Sequence, residues 1–494
     1  MELPSDLLCD IFRLVDDTSA VDQKYKLSQV CVYWRAVALE APLLWSSLTL
    51  FTPLDVHRLP SVFARSRDLP LDITLPKNSW IVDNKAAVDL LTGQRDRIRR
   101  LHVQYDDERH CFLGRLLCQG FTFSLLEDLE LSRSPYSNGR LTLFISAPRL
   151  RSLHLTRTDC DRYHGLLVPS LQHLFLDDCR LGLGAGLLAA VFARSEQLRT
   201  LTCRAMFNKV DVSHDDYVAF KPGGCLPYLR TFRVDVAVSS RFLRFVFGTR
   251  ILQEMEIYTA EGEIDATMQE LFSHVFRGLE KLVELRFDSE EESWFEIRDG
   301  TGRVRRVSVL PYAVHPWRFR DLWTELVQQC NIAASLETIY TSTCHWNDVV
   351  SAFASRPPEG RIELHVKLVV GIPGDFYGGP GGDSPLQLKC PNLVKVVFHD
   401  FDDHPHRGHR TTLAFSVITQ LLPCITSTAR SISLCASKAG LATSGGTETL
   451  SALRAQLPEQ FVFCGHCDVL CRDHESPAQS TSRGYDYLAT SDLA

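Results

Sequence analysis

The chain has 494 residues, 45% of them hydrophobic and 23% charged, with a formal net charge of -7. This is a globular composition. The acidic balance argues against a broad nucleic-acid or anionic-membrane surface, which would need a basic excess. No apolar run approaches the roughly 18 to 20 residues of a membrane span, so neither nucleic acid nor membrane is expected as a partner.

Glu2 and Asp6 stand where a signal peptide would carry its basic region. A cytoplasmic or nuclear location is therefore expected, with the sixteen cysteines reduced rather than bridged. Leu7, Leu8, Ile11, Phe12 and Val15 recur at the spacing of a helix face. Pro4 suits a first helical turn, because its missing N–H has no intrahelical acceptor there. Residues 16–23 read as a loop. Leu27, Val30, Cys31, Trp34, Val37 and Ala38 predict one second helix, which ends before Pro42. Fifty residues cannot bury so many apolar side chains alone. The segment packs on the rest of the chain or keeps a face for a partner.

The pattern LP-x-x-LL-x-x-IF, then L-x-x-VC-x-x-WR-x-x-A, then P-x-LW resembles an F-box. Leu3, Pro4, Leu7, Leu8, Ile11 and Phe12 match its opening, and Leu27, Val30, Cys31, Trp34 and Arg35 its middle. Pro42, Leu44 and Trp45 match its end. By that resemblance the segment docks on the Skp-type adaptor of a cullin-RING (SCF) ubiquitin ligase. Leu3, Pro4, Leu8 and Ile11 are then the adaptor-facing residues. Leu7, Phe12, Cys31, Trp34 and Trp45 then pack inside the domain, with contact to the adaptor the alternative for Trp34.

Beyond residue 50 a short pattern, L-x-x-L-x-L, recurs at 98–103, 126–131, 150–155, 171–176, 198–203, 229–234, 252–257, 282–287 and 393–398. From 126 to 282 the copies are 24, 21, 27, 31, 23 and 30 residues apart. Pro148, Pro169, Pro227 and Pro391 supply a P-x-L lead-in. Alternation predicts strands, and helical spacing predicts helices at 187–194, 241–247, 265–279, 322–330 and 349–353. A strand and a helix every 20 to 30 residues is the leucine-rich-repeat rhythm. Here too the chain is similar to F-box proteins that carry such repeats, in a style close to fungal-type families. The Asn or Cys expected three residues past the last leucine is met only by Cys179.

The predicted fold class is therefore α/β. A small all-helical N-terminal F-box (1–50) precedes an irregular leucine-rich-repeat-like solenoid (51–437) and a linker-like, partly disordered tail (438–494). Residues 293–309 read as a β-hairpin about Asp299-Gly300, and 371–385 as a Gly/Pro-rich loop.

In such an array the strand residues facing out form a binding surface. Its central row is Glu130, His154, Phe175, Thr202, Arg233, Glu256 and Arg286, flanked by Asp128, Asp177, Asp235, Glu254, Glu284 and Asp288. That is eight carboxylates against two arginines. It fits a solvated polar face, or a surface that prefers a basic segment.

No cofactor or resident metal is expected. Cys464, Cys467, Cys471 and His474 have zinc-like spacing but no separated second pair of ligands, so reduced cysteines on a terminal strand are the preferred reading. His399, His404, His406 and His409 read as a polar loop. GLGAG (182–186) lacks the third glycine of a dinucleotide loop, and 371–385 lacks G-K-S/T. Neither G-x-S-x-G nor H-E-x-x-H occurs. The expected function is a non-catalytic substrate receptor of an SCF ligase. The alternatives are an F-box scaffold outside a ligase and an enzyme with an assembled site.

Overall fold

The computed structural model describes residues 3–15, 20–77, 84–105, 115–117, 119–134, 143–158, 165–177, 179, 191, 193–204, 226–234, 251–259, 275–288, 293–309, 335–342, 346–354, 357–368, 387–400, 421, 425–426, 431–435 and 461–463. The expected helices at 187–194, 241–247, 265–279 and 322–330 lie largely or wholly outside these residues. So do the GLGAG stretch, the 371–385 loop and Cys464, Cys467, Cys471 and His474.

Four short helical elements open the chain: α1 (Ser5–Val15), α2 (Val21–Leu27), α3 (Val32–Glu40) and a 3-10 turn, Pro42–Trp45. The single second helix expected from 27 to 38 is broken at 28–31. Ser28 closes α2 with its N–H on the Lys24 carbonyl and its hydroxyl donating to Tyr25 O, 2.7 Å away. Cys31 has extended backbone, and its Sγ accepts from the Trp34 N–H at 3.3 Å. A side chain that accepts from the third residue on is what starts a helix. Val21 to Gln23, expected in a loop, are the first turn of α2.

The mixed α/β chain divides into two compact units, Met1–Leu279 with Gly302–Val314, and Glu280–Thr301 with His315–Ala494. In the first unit α4 (Pro53–Arg65) and α5 (Lys85–Gly93) flank strands β1 (Ser47–Thr49), β2 (Leu71–Leu75) and β3 (Ile98–Tyr105). Thr52 and Pro53 start α4, with the Thr52 N–H donating to Asp55 Oδ2 at 2.8 Å, one arm of a capping box. Then come β4 (Phe121–Thr122), β5 (Asp128–Arg133), β6 (Ile145–Ser146), β7 (Ser152–Thr156), β8 (His173–Asp177), β9 (Thr200–Arg204), β10 (Thr231–Val234) and β11 (Glu254–Thr259). In the second unit lie β12 (Leu282–Asp288) and β13 (Ser293–Asp299), and the chain then returns to the first unit as β14 (Val304–Val309).

The sheet of the first unit runs β1-β2-β3-β5-β7-β8-β9-β10-β11-β14, every neighbour parallel. β4 and β6 form a separate parallel pair. The strands keep one register, so Leu101, Leu129, Leu153, Leu174, Leu201, Phe232 and Met255 form one buried row. Burying each such side chain contributes about 1.5–3 kcal/mol. In β14 the row continues with Arg305, whose Nε and Nη2 donate to Val275 O and Leu252 O at 2.8 Å each. The second unit has β13 antiparallel to β12, then β15 (Thr338–Ser342), β16 (Ile362–Leu368), β18 (Leu393–Asp400), β20 (Ser431–Cys435) and β21 (Phe461–Phe463), all parallel to β12 in succession. β17 (Leu388–Lys389) pairs with β19 (Ile425–Thr426), and α6 (Trp346–Ala354) covers the expected helix at 349–353.

All nine copies of the recurring pattern overlap strands, and the P-x-L lead-in has a physical cause. Leu150 N–H donates to Ala147 O, Leu171 to Val168, Leu229 to Leu226 and Leu393 to Cys390, at 3.0 to 3.2 Å. Each proline thus sits second in a four-residue turn, where its fixed φ fits. Three residues past the last leucine of two copies, Thr158 Oγ1 donates to Leu131 O and Cys179 Sγ to Leu155 O, both at 3.3 Å. Only Cys179 fits the Asn-or-Cys pattern, but the buried Thr158 hydroxyl satisfies the preceding strand in the same way. Both arms of the expected 293–309 hairpin are strands, β13 paired with β12 and β14 with β11. The chain assigned to the tail contributes β21.

Candidate functional site

Residues 1–50 are built around Phe12 and Trp45. Phe12 meets Trp34 edge to face at 5.2 Å, and Trp45 Nε1 donates to Ala38 O at 2.7 Å. Lys24, fully buried, donates from Nζ to Leu44 O at 2.7 Å. Arg65 of α4 lies over the rings of Trp45 and Tyr25, and Arg58 over Tyr25 while pairing with Asp22 at 3.0 Å. Lys26 and Arg58 together hold the Asp22 carboxyl below its usual range. The segment is thereby fastened to α4. In addition Ala20 bridges to Thr49, placing a partner on the edge of β1.

Two expectations about α1 are corrected. Leu8, expected to face the adaptor, is 0% exposed, and Leu7, expected to pack inward, is 53% exposed. Leu8 and Phe12, four apart, share the face that meets α3. Leu7 and Leu14, seven apart, share the other. Cys31, expected in the core, is exposed because it caps α3. Leu3 and Pro4 are exposed, Ile11 and Trp34 half-buried, Phe12 and Trp45 buried. Tyr33 OH donates to Leu3 O at 2.7 Å, tying the start of the chain to α3. Leu14 (74% exposed), Val30 and Val32 (82% exposed) and Leu43 complete an outward apolar set.

The outward row of the first sheet is in register as predicted for Glu130, His154, Phe175, Thr202, Arg233 and Glu256. His102 extends it on one side and Arg306 on the other. Arg286 does not belong to it. It lies on β12 of the second unit, opposite Glu296 and Tyr340, because β14 rather than β12 occupies the position beside β11. His154 and Phe175 meet edge to face at 4.0 Å.

The charge count of the sequence is also corrected, because most outward carboxylates face cations. Asp72 takes two hydrogen bonds from Arg99, at 3.0 and 2.6 Å. Arg233 pairs with Glu254 and, at 3.4 Å, with Glu256, which Arg306 approaches to 3.9 Å. Glu256 is 3% exposed and offers little to solvent. In the second unit Glu284 pairs with Arg286, Glu296 with Arg298, and Glu363 with Lys395 and His365. Arg286 lies over Tyr340, which stacks on His365 at 4.4 Å. Asp128 and Glu130 share His102, at 3.4 and 3.7 Å. The hydrogen bond to Asp128 raises the His102 pKa against the opposing effect of burial, whereas burial lowers that of His154. Asp177 is half-buried on β8, and Asp235 lies outside the described residues.

Among the described residues no group of three or more His, Cys, Asp or Glu side chains is arranged to hold a metal, and no helix is long and apolar enough to cross a membrane. Comparison with curated proteins gives no match. Residues 1–50 match the family model described as F-box-like, so the segment that carries the outward apolar set is an F-box-like domain.

Proposed function

We propose that this chain is a non-catalytic substrate-recognition subunit of an SCF-type ubiquitin ligase. The F-box-like domain binds a Skp-type adaptor and, through it, a cullin. The remaining chain, read as a degenerate leucine-rich-repeat array, holds a protein substrate for ubiquitin-dependent degradation in the cytoplasm or nucleus. The observation that carries the reading is the apolar set Leu7, Leu14, Val30, Val32 and Leu43, left outward by a domain whose core is already closed. Together with the F-box-like match over residues 1–50, these exposed apolar side chains support a partner-binding role for the domain. The repeat reading is supported by the strands in common register, the P-x-L turns and the donations from Thr158 and Cys179.

In this role no residue of the chain forms or breaks a covalent bond. The receptor raises the effective concentration of a substrate lysine near the charged conjugating enzyme. Affinity purification of the tagged chain from cells tests this: adaptor and cullin should both be recovered. Adaptor without cullin would favour a scaffold outside the ligase, and neither would refute the reading.

A further inference from the structure

The N-terminal rim of the first sheet carries the charge that the rest of the sheet face neutralises. Residues immediately before successive strands are linked by backbone hydrogen bonds: Arg151 N–H to Glu127 O, Gln172 to Arg151, Arg199 to Gln172, Arg230 to Arg199, at 2.7 to 2.8 Å. They are therefore stacked at the strand spacing of about 4.8 Å. Arg151, Arg199 and Arg230 are exposed. Arg199 and Arg230 are direct neighbours of like charge, an arrangement that costs stability unless something of opposite charge covers it. Among the described residues the acids near this rim include Glu127, beside Arg151, the exposed Glu196, three residues before Arg199, and Asp128, whose charge acts on His173. Arg149, also exposed, stands two residues before Arg151. His173, exposed on β8, is held below its usual pKa by burial and then by the Arg199 charge, which places that guanidinium in the same patch.

Apolar surface adjoins the arginines. Tyr228 and Ile251 precede Arg230 and Gln253 by two residues in the same rim, and both are large exposed hydrophobics. Elsewhere on this sheet Arg99 is held by Asp72, and Arg233 by Glu254.

We propose that this rim, with Arg151, Arg199 and Arg230 beside Tyr228 and Ile251, is a docking surface for an acidic peptide segment that carries an apolar residue next to its carboxylates. The sign is opposite to that of the basic segment, which the carboxylate count offers as the alternative to a solvated polar face. Carboxylates of the partner relieve the Arg199–Arg230 repulsion, and its apolar residue covers Tyr228 and Ile251. The proposal deepens the receptor reading by naming the substrate class, but its test needs no adaptor and can fail independently.

The test uses the full chain and a fluorescein-labelled peptide of glutamates and leucines between glycine flanks, followed by fluorescence anisotropy at low salt. Saturable binding is expected. It should weaken about tenfold or more in Arg199→Glu/Arg230→Glu and fall as salt screens the charges. Arg199→Gln/Arg230→Gln should lie between, and Arg100→Glu, on the outward face, should bind like the wild type. A glutamine-for-glutamate peptide that binds equally well would overturn the proposal. So would unchanged affinity in both double variants, binding restricted to a phosphoserine version, or a DNA duplex that displaces the peptide at lower concentration.

Discussion

Truncating Leu8 to alanine should unfold far more protein than truncating Leu7, although the two are adjacent and identical. Leu8 is fully buried where α1 meets α3 and the 3-10 turn. Its loss combines the transfer free energy of the removed carbons with that of the cavity left behind, about 3 kcal/mol for a site of this burial. That is a roughly hundredfold change in the folding equilibrium. Leu7 already exposes half its surface, leaves no cavity, and should cost at most about 1 kcal/mol. Urea titration followed by tryptophan fluorescence reads both, since Trp34 packs on Phe12 beside Leu8 and Trp45 is buried in the same domain. A smaller shift in the unfolding midpoint for Leu8→Ala than for Leu7→Ala would refute the assignment of the two faces.

Three further outcomes follow from the geometry. Glu256→Ala leaves Arg233 and Arg306 facing each other across a buried site and should destabilise by about 3 kcal/mol in a urea titration. Gly165→Ala places a Cβ 2.4 Å from Ile145 O, a backbone atom that cannot step aside, and should cost about 2 kcal/mol, whereas Gly93→Ala meets nothing within 4 Å and should be neutral or slightly stabilising by the same measurement. His102 has a raised folded-state pKa, so its pairing with Asp128 and Glu130 stabilises fully below pH 6.5, the unfolded value, and is lost as pH rises through the folded value. The stability difference between wild type and His102→Gln should therefore be largest near pH 6 and shrink toward pH 9.

The strands were legible because their signal is local. Alternating apolar residues after a proline turn leave one inward face, and every copy of L-x-x-L-x-L became a strand. β2 (LDITL) and β16 (IELHVKL) alternate as plainly and could have been found the same way without the leucine pattern. What failed depends on contacts between distant residues. The apolar residues of α1 span two overlapping faces, and spacing alone cannot say which one α3 covers. The second helix reads as continuous across 28–31 because Val30 and Cys31 fit its period, although Cys31 serves as a cap. The charge of the sheet face was misread because counting residues ignores pairing: Glu254 and Glu256 converge on Arg233 only once β10 and β11 lie side by side. Arg286 reads into the first row because nothing local marks β14 as the neighbour of β11.

The central claim, that the F-box-like domain recruits its adaptor through the outward apolar face, is tested most directly by titrating purified full chain with a purified Skp-type adaptor in a calorimeter. Leu7→Asp/Leu14→Asp alters only exposed positions and should remain folded, at a cost of no more than about 2 kcal/mol in a urea titration, while losing most of the binding heat. Wild-type affinity in that folded variant would contradict the account.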